Sequence, residues 1–550
     1  MKHVQLLYLL LLSASLGAQT NYYVGNNGTD SPTSGLTSND AFASFEYALD
    51  FLEAGDTLNV RGGLYTNENY QNGDYWKKEK TLTIIDVQGT ASAWITIRPE
   101  PGENVRLKGD GLYIAHIRNC AYLNFEGFKI RGETPNIPLS LAQQYQFAYR
   151  LEEGGDILYR FPPNTPAEDI EGVDDLPLLP NAIRPSYFDT KGLVIQNSHH
   201  VRVRNNHIRM MPGTGMRANG CSYVWVTDNE IENCSRRSYS GTHGLVFEKT
   251  KKHNASTGTK MWIQRNHVHH NYNQLFSWNP NKKFVTPVID EGKGISMQRN
   301  DAGYGFTKGR IRIENNLCHD NGFSGIHSNY GRAIDIINNT CVDNDRTLHG
   351  SNHGISLQRT TDAKILNNVV VSAYGNALAM SSSSDATIRR NHVQGAISAT
   401  VTTVAINTTT GDPLFVGTGD HPYQLSAGSP ARNVATGQAP DQDFLNNDRG
   451  NDPDLGCYEY VASGKPALSL NPAPQTLRTE LVAYPNPTSA TTRITGLTPT
   501  NEPLQLLDAY GRALEQFSVT SDEMTIDLSA YSSGMYLLRR GRTLTRIVKQ

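Results

Sequence analysis

Residues 201–208 read VRVRNNHI, and the same pattern returns six more times along the chain. The later copies are VWVTDNEI at 224–231, MWIQRNHV at 261–268, IRIENNLC at 311–318, IDIINNTC at 334–341, KILNNVVV at 364–371 and TIRRNHVQ at 387–394. Every copy reaches one asparagine in the same place: Asn206, Asn229, Asn266, Asn316, Asn339, Asn368 and Asn391. Three of the six intervals between them are 23 residues, and the longer ones of 37, 50 and 29 residues indicate insertions.

A column of glycines leads the same units. It occurs in KGLVIQ, TGMRAN, HGLVFE, KGISMQ, SGIHSN and HGISLQ, at positions 192, 215, 244, 294, 325 and 354, and Ala377 takes its place in NALAMS. Each unit therefore contains at least two short alternating strands with turn residues between them. A repeat of about 20–25 residues made of short strands predicts a β-solenoid, because one coil cannot bury its own apolar face. A leucine-rich repeat has a similar length, but its LxxLxL signature is absent.

The alternation predicts which side chains point inward. We expect an apolar ladder that consists of Leu193, Met216, Leu245, Ile295, Ile326, Ile355 and Leu378. The repeated asparagine suits a turn, where its amide can satisfy backbone groups of the neighbouring coil. Cys318 and Cys341 are one 23-residue unit apart, which predicts a buried ladder position and not a catalytic pair.

Four further segments carry a family resemblance. NYYVGNNGTDS at 21–31 and GDTLNVRGGLYTN at 55–67 are similar to the N-terminal part of right-handed parallel β-helix proteins, especially those of the polysaccharide-lyase type. DPLFVGTGDHPYQLSAGSPARN at 412–433 and DPDLGCYEY at 452–460 resemble their C-terminal closure. The resemblance covers roughly residues 21–460 and implies an all-β, right-handed parallel β-helix. It does not imply one chemistry, because enzymes and non-enzymes share this fold.

The two ends of the chain predict export. Residues 1–18 have a lysine, a short apolar run and small residues, which predicts a secretory signal peptide that is too short to span a membrane. Residues 481–550, with LVAYPNPTSATTRITGL and SSGMYLLRRGRTLTRIVKQ, resemble the C-terminal sorting domain of the type IX secretion system. That resemblance implies a small β-sandwich, a Gram-negative host, passage through the periplasm and delivery to the outer surface or medium, with the secretion machinery as a partner. A carbohydrate-binding module is the alternative for this segment.

The remaining boundaries and exclusions follow from composition. The β-helix is expected over 19–460 with insertions at about 134–190, 250–260 and 270–290, followed by a linker at 461–480. The first insertion contains AEDIEGVDDLPLLPN and is interpreted as a surface loop, with a groove wall or calcium loop as alternatives. A net charge of −3 in 550 residues favours neither nucleic acid nor an anionic membrane, no second segment suits a transmembrane helix, and no CxxC indicates structural zinc. We expect a monomer.

The outward positions of the first strand, the column of residues just before the glycines and the position just after the strand together define a stripe rich in cations, imidazoles and amides. Its candidate catalytic residues are Lys293, His327, Arg299, His243 and His353, with Tyr304 and Tyr330 as possible acids. Its candidate substrate-binding residues are Arg217, Glu248, Gln298, Asn329 and Arg359. Asp290 and Glu291 are the candidate calcium ligands, although either one can instead pair with Lys293 as a salt bridge.

A second outward column comes from the other strand. It contains Trp225 and Trp262 on neighbouring units, where the two indoles could stack sugar rings. The alternative is that the inserted loops near residues 250 and 280 cover them.

A polyuronate lyase neutralises a carboxylate, abstracts the C5 proton and protonates the leaving oxygen, and the first stripe offers the residue types for these tasks. The sequence therefore predicts a polysaccharide lyase acting on an acidic glycan. Three alternatives stay open. One is a glycoside hydrolase using Glu248, Asp290 or Glu291, the second is a C5-epimerase, and the third is a non-catalytic glycan-binding or adhesive solenoid.

Overall fold

The computed structural model describes residues 19–73, 77–144, 149–151, 157–159, 185–238, 241–275, 289–346, 352–399, 407–435, 437–461 and, of the C-terminal region, 482–484, 486, 488–495, 497, 503–508, 513–520, 523–540 and 543–550. The predicted signal peptide, almost all of the predicted linker, the AEDIEGVDDLPLLPN segment and most of the 270–290 insertion lie outside the described residues. Two units separate, one over the solenoid and one over the C-terminal region.

The larger unit is a parallel solenoid with three strands per coil, which wind into three sheets. The first sheet contains Lys80–Ile85, Tyr113–Arg118, Lys191–Gln196, Met216–Asn219, Leu245–Glu248, Ile295–Asn300, the start of Ser324–Ile337, His353–Gln358, and the later parts of Val369–Ser381 and His392–Ala399. The second sheet contains Asn21–Val24, Thr57–Val60, Ile95–Pro99, Ala121–Glu126, His199–Arg204, Ser222–Thr227, Thr259–Gln264, Arg310–Glu314, the end of Ser324–Ile337, Thr361–Leu366 and Thr387–Arg389. The third sheet contains Gly63–Tyr65, Val105–Lys108, Lys129–Arg131, His207–Arg209, Glu230–Glu232, His267–His269, Leu317–His319, Thr340–Val342, the starts of Val369–Ser381 and His392–Ala399, and Thr409–Thr410.

Helical elements are few and short. Phe45–Leu49 follows the first strand, with Ser44 as its N-cap. The 134–190 insertion contains the 3-10 turns Thr134–Asn136 and Ser186–Phe188, the helix Leu139–Gln144, and an antiparallel pair of strands, Tyr149–Leu151 and Ile157–Tyr159. A further 3-10 turn spans Ala302–Tyr304. No described helix has the length and apolarity needed to cross a bilayer.

The predicted inward ladder is confirmed. Leu193, Met216, Leu245, Ile295, Ile326, Ile355 and Leu378 pair one after another in the first sheet and are at most 1% exposed. Cys318 pairs with Cys341 in the third sheet, and all six cysteines are buried and free. Burial of such ladders between coils about 4.8 Å apart supplies the core.

The repeated asparagines turn the chain between the second and third sheets, as predicted. From Asn206 to Asn391, each Nδ2 donates to the Oδ1 of the next asparagine at 2.9–3.0 Å. Each backbone N–H donates to the same Oδ1 of the next member at 2.8–3.2 Å. A shorter column of Asn271, Asn321 and Asn344 forms the same bonds at the corner between the third and first sheets.

The leading glycines are explained by close approach between coils. A Cβ at Gly294 would lie 2.6 Å from the carbonyl oxygen of Gly325 and 2.8 Å from Nδ2 of Asn321, both shorter than any tolerable contact. The same overlap recurs at Gly215, where the carbonyl oxygen of Gly244 would be 2.7 Å away. A side chain in this column would therefore push neighbouring coils apart.

The C-terminal unit contains two antiparallel sheets. One consists of Val482–Tyr484, Thr491–Thr495 and Glu523–Asp527, and the other of Leu504–Asp508, Ala513–Phe517, Gly534–Arg540 and Thr543–Lys549. Ile494 and Ile526 of the first sheet share one apolar cluster with Leu506, Leu538 and Ile547 of the second. This packing of two sheets fits the small sandwich expected from the sequence.

Candidate functional site

Lys293 lies two residues before the start of the first-sheet strand Ile295–Asn300 and is only 5% exposed. Its ammonium is 3.3 Å from Oε2 of Glu291, donates to the backbone carbonyl of Asp290, and lies 4.7 Å from the ring centroid of Phe323. The salt bridge considered from the sequence is therefore present with Glu291. A carboxylate, a carbonyl and an aromatic face together hold this buried cation in one position.

Three imidazoles from three other strands or corners lie near enough to Lys293 to be affected by its charge. His243, from the preceding coil, accepts a bond from the Lys293 backbone N–H at Nδ1 (3.3 Å), so its Nε2 carries the proton and faces Oε2 of Glu291 at 3.3 Å. His327 lies on the next coil, with Nδ1 2.7 Å from the hydroxyl of Ser356.

His353 is one coil further on. The Phe323 ring connects His353 to the rest of the group. The centroid of the Phe323 ring is 5.2 Å from that of the His353 ring and 5.7 Å from that of the His327 ring. The four residues that the repeat predicted to share a stripe, Lys293, His243, His327 and His353, thus lie in one cluster, which we call the lysine–imidazole cluster.

Burial keeps these imidazoles neutral. Burial, followed by the charge of Lys293, holds the pKa of His243 and that of His327 well below their ordinary value. The same two causes lower the pKa of His353 to about 4. His327 has the outward register that the sequence predicted, yet it is only 5% exposed because neighbouring side chains cover it. Near neutral pH the three rings of the cluster are therefore uncharged and can accept protons.

The other end of the same strands carries a charge network around Glu248. Its carboxylate accepts from Arg217, from Asn219 Nδ2 at 3.2 Å, and from Arg299 at 3.4 Å, and Lys249 Nζ is 3.8 Å away. Glu248 is 5% exposed and Arg299 is on the surface. Because four donors already surround this carboxylate, it is poorly placed to act as a catalytic acid.

The remaining predicted residues continue this end of the stripe. Gln298 pairs with Glu248 and Asn329 in register, and its Nε2 donates to the hydroxyl of Ser296 at 2.7 Å. Exposed Arg359 donates to the phenol oxygen of Tyr330 at 2.7 Å, and the Tyr330 and Tyr304 rings are 6.3 Å apart. Lys293 and Arg299 are six positions apart, which corresponds to about 20 Å of extended strand, so the stripe is long enough for several sugar units.

Asp290 and Glu291 were the predicted calcium ligands. The groups of three or more potential ligands within coordinating distance in the described part of the chain do not include either residue. The nearest partners of the Glu291 carboxylate include Lys293 and His243, both of which compete with a cation for its oxygens. The calcium site stays a prediction.

Trp225 and Trp262 lie on the second sheet, away from the lysine–imidazole cluster. Their rings stack at 4.6 Å with an interplanar angle of 9°, and both are partly exposed. The guanidinium of Arg202, in the same column, lies 3.9 Å from the ring centroid of Trp94. The result is an aromatic platform (Trp94, Trp225, Trp262) on a separate face of the solenoid.

Two neighbours of the site were not singled out as site residues from the sequence. Phe323 lies one position before the column of residues that directly precede the glycines. The periodicity therefore gave no reason to select it. Lys191 belongs to that column, and burial followed by the charge of Arg217 lowers its pKa to about 8. The stripe therefore offers, in Lys191, an amine that loses its proton more readily than an ordinary lysine.

Family models match both parts of this architecture. Residues 181–418 match the model of the right-handed β-helix region, and residues 482–550 match the model of the secretion system C-terminal sorting domain. The chain is a right-handed parallel β-helix protein with a C-terminal type IX sorting domain, which indicates secretion or attachment to the cell surface.

Several solved structures are similar to the chain at low sequence identity. Pectate lyase Pel9A has a TM-score of 0.44 and 14% identity, over 81% of this chain and 98% of that one. GH136 lacto-N-biosidase from Eubacterium ramulus has a TM-score of 0.36 and 13% identity, over 68% of this chain and 56% of that one. Alginate lyase from a Paenibacillus species has a TM-score of 0.31 and 16% identity, over 67% and 95%. No curated protein sequence matches the chain.

Proposed function

We propose that this exported protein is a carbohydrate-active enzyme that cleaves an acidic, uronate-containing polysaccharide by β-elimination. The observation that carries the proposal is the lysine–imidazole cluster, in which a buried lysine amine and three neutral imidazoles are grouped on one sheet of the solenoid. A flat solenoid surface that only binds a glycan has no need for an amine enclosed in this way.

The stripe provides a group for each step of an elimination. Arg217 or Arg299 would bind the uronate carboxylate, since a guanidinium matches a carboxylate in shape and charge. Lys293, in its free amine form, would remove the proton at C5. Tyr330 or water would protonate the departing oxygen at C4, and the electron pair from the C–H bond would form the new double bond.

Lys293 must lose a proton before it can act as a base. Lys191, with its lowered pKa, is the alternative base on the same face. An arginine at either position keeps the positive charge but cannot be deprotonated at neutral pH, so a lysine-to-arginine substitution separates proton abstraction from charge alone.

The first experiment is an elimination assay with the purified protein. It would be incubated with pectate, alginate, glucuronan, ulvan and glycosaminoglycans, with and without calcium, while ultraviolet absorbance of unsaturated uronides is followed. An absorbance rise with one glycan supports elimination and identifies the substrate. New reducing ends without absorbance would instead indicate hydrolysis, and exchange of the C5 hydrogen without cleavage would indicate epimerisation.

Variants then test the base. Lys293→Arg is expected to lower kcat by about 10²–10⁴-fold, the usual contribution of a general base. Lys308→Arg, at an exposed position off the stripe, is the matched control and should retain full activity. If Lys293→Arg keeps its turnover and Lys191→Arg loses it, Lys191 is the base. If both retain turnover, the assignment to this stripe is wrong.

A further inference from the structure

A second cluster of imidazoles lies on the outer face of the third sheet. His267 and His269 are two residues apart on one strand and therefore point to the same side, while Val268 between them is buried. His319, on the next strand, pairs in register with His269. One nitrogen from each of these three rings lies within 4.8 Å of the other two.

The proton on His319 can be located from its partners. Its Nδ1 is 2.7 Å from the carboxylate of Asp320, so this nitrogen is the donor and Nε2 is left with a lone pair. That Nε2 faces Nε2 of His267 at 2.8 Å. A carboxylate that fixes an imidazole in this tautomer is the usual outer partner of a metal-binding histidine.

The Glu230 carboxylate lies beside the other two rings. Nδ1 of His269 lies 2.8 Å from Nδ1 of His270, and its Nε2 is 3.3 Å from Oε1 of Glu230. The same Glu230 oxygen is 3.9 Å from Nδ1 of His267, its register partner. The three imidazoles therefore form one group, and the Glu230 carboxylate lies at its edge, with the residues coming from three successive coils.

The cluster has a closed side and an open side. The ring of Tyr423 lies 4.9 Å from that of His319, and the ring of Phe444 lies 6.5 Å from that of His267. The His269 side chain is 3% exposed, whereas that of Glu230 is 40% exposed. An ion could thus enter beside Glu230 and lie against an aromatic wall.

The donor set selects the chemical class of ion. Nitrogen ligands with one carboxylate suit zinc and its first-row neighbours, whereas calcium and magnesium take oxygen ligands. A tetrahedral zinc site places ligand nitrogens about 3.3 Å apart. The 2.8 Å between His267 and His319 would therefore have to open by about 0.5 Å, which small rotations of the side chains can provide.

We propose that His267, His269 and His319 form a binding site for a divalent transition-metal ion, with zinc the best fit, and that the neighbouring Glu230 carboxylate turns toward the ion as a fourth ligand. The ion would join three coils of the solenoid beside the segment that contains Tyr423 and Phe444. The site is independent of the lysine–imidazole cluster, because it lies on another sheet and shares no residue with it.

The test is metal binding by the full chain after chelation and dialysis. Titration should show that the wild-type protein binds Zn²⁺. The affinity of the protein for Zn²⁺ should fall about 100-fold or more in His267→Gln and in His319→Gln. Asp320→Asn should weaken binding about 10–100-fold, since it removes only the outer partner. Co²⁺ should give the intense visible absorption of a tetrahedral complex, and this band should disappear in the same variants.

The matched control is His253→Gln. His253 belongs to a separate group with His199 and His200 on the second sheet, which could also take up an ion. Thermal unfolding with and without Zn²⁺ provides a second measurement. The unfolding temperature should rise in wild type and His253→Gln, and not in His267→Gln. No bound zinc in wild type, or binding that is lost in His253→Gln and kept in His267→Gln, would overturn the proposal.

Discussion

Substitution of Asn316 by alanine tests whether the asparagine column holds the coils together. Asn316 is completely buried, and its Nδ2 donates to the carbonyl of Ile263 at 2.8 Å and to Oδ1 of Asn339 at 2.9 Å. Its Oδ1 accepts from both the backbone N–H and Nδ2 of Asn266, at 3.0 and 2.9 Å. The column therefore depends on this amide in both directions.

The expected loss in the free energy of unfolding follows from the groups that lose a hydrogen-bond partner. The backbone N–H of Asn266 would lose this bond inside the protein, which costs about 1–3 kcal/mol. The other lost bonds add about 1 kcal/mol, because Nδ2 of Asn266 still reaches the Val226 carbonyl at 2.9 Å and Oδ1 of Asn339 still accepts from residue 316. We expect Asn316→Ala to destabilise the solenoid by about 2–4 kcal/mol.

The assay is urea unfolding followed by circular dichroism, with Asn104→Ala as the control at an exposed asparagine. The control should change stability by less than about 0.5 kcal/mol. A double variant of Asn316 and Asn339 should cost less than the sum of the single variants, because they share a hydrogen bond. An Asn316→Ala midpoint equal to that of the control would refute the reasoning.

Three further predictions concern the two outer faces and the glycine column. His353 has a folded-state pKa of about 4, so the unfolded chain takes up its proton first as the pH falls below about 6.5, and stability should fall from there toward pH 4. His353→Gln should flatten this part of the profile of unfolding temperature against pH, and an unchanged slope would contradict the neutral assignment. Replacing Trp225 and Trp262 together by alanine should weaken retention on an immobilised glycan about tenfold while the fold is unchanged; equal retention would show that the platform binds no sugar. Gly294→Ala should lower the unfolding midpoint markedly, whereas Gly437→Ala, where an added Cβ meets nothing within 4 Å, should not; similar midpoints would contradict the close approach of coils.

The sequence predicts the coil well because two periodicities coincide. The alternation in the first and second strands identified the inward ladder, and the fixed spacing identified the asparagine corner. The third strand was missed because it is only three residues long in most coils, as in His267–His269. One signal was present: an apolar residue lies two positions after each asparagine, for example Ile208 after Asn206.

The residues that make up the candidate site could be predicted from the sequence, but their burial and contacts could be predicted less well. Register brought Lys293, His243 and His353 together, since each precedes a glycine of the column. Their burial was not predictable, because it depends on Phe323 and on Glu291, which follows an insertion without periodicity. Side chains that close over a strand from an irregular segment leave no repeat in the sequence to detect.

The asparagine column also gives the solenoid a direction. From Asn206 to Asn368, each side-chain amide donates to the Oδ1 of the next asparagine toward the C-terminal end, so the bonds between members of the column all run one way. The two ends therefore need opposite terminators. The backbone N–H of Phe128 donates to Oδ1 of Asn206 at 3.0 Å at one end, and the Thr408 hydroxyl oxygen accepts from the backbone of Asn391 at 3.4 Å at the other. In a shortened or lengthened solenoid, the asparagines at the two ends of the column would keep their hydrogen-bond partners only under two conditions. The new first coil would have to supply a donor, and the new last coil would have to supply an acceptor.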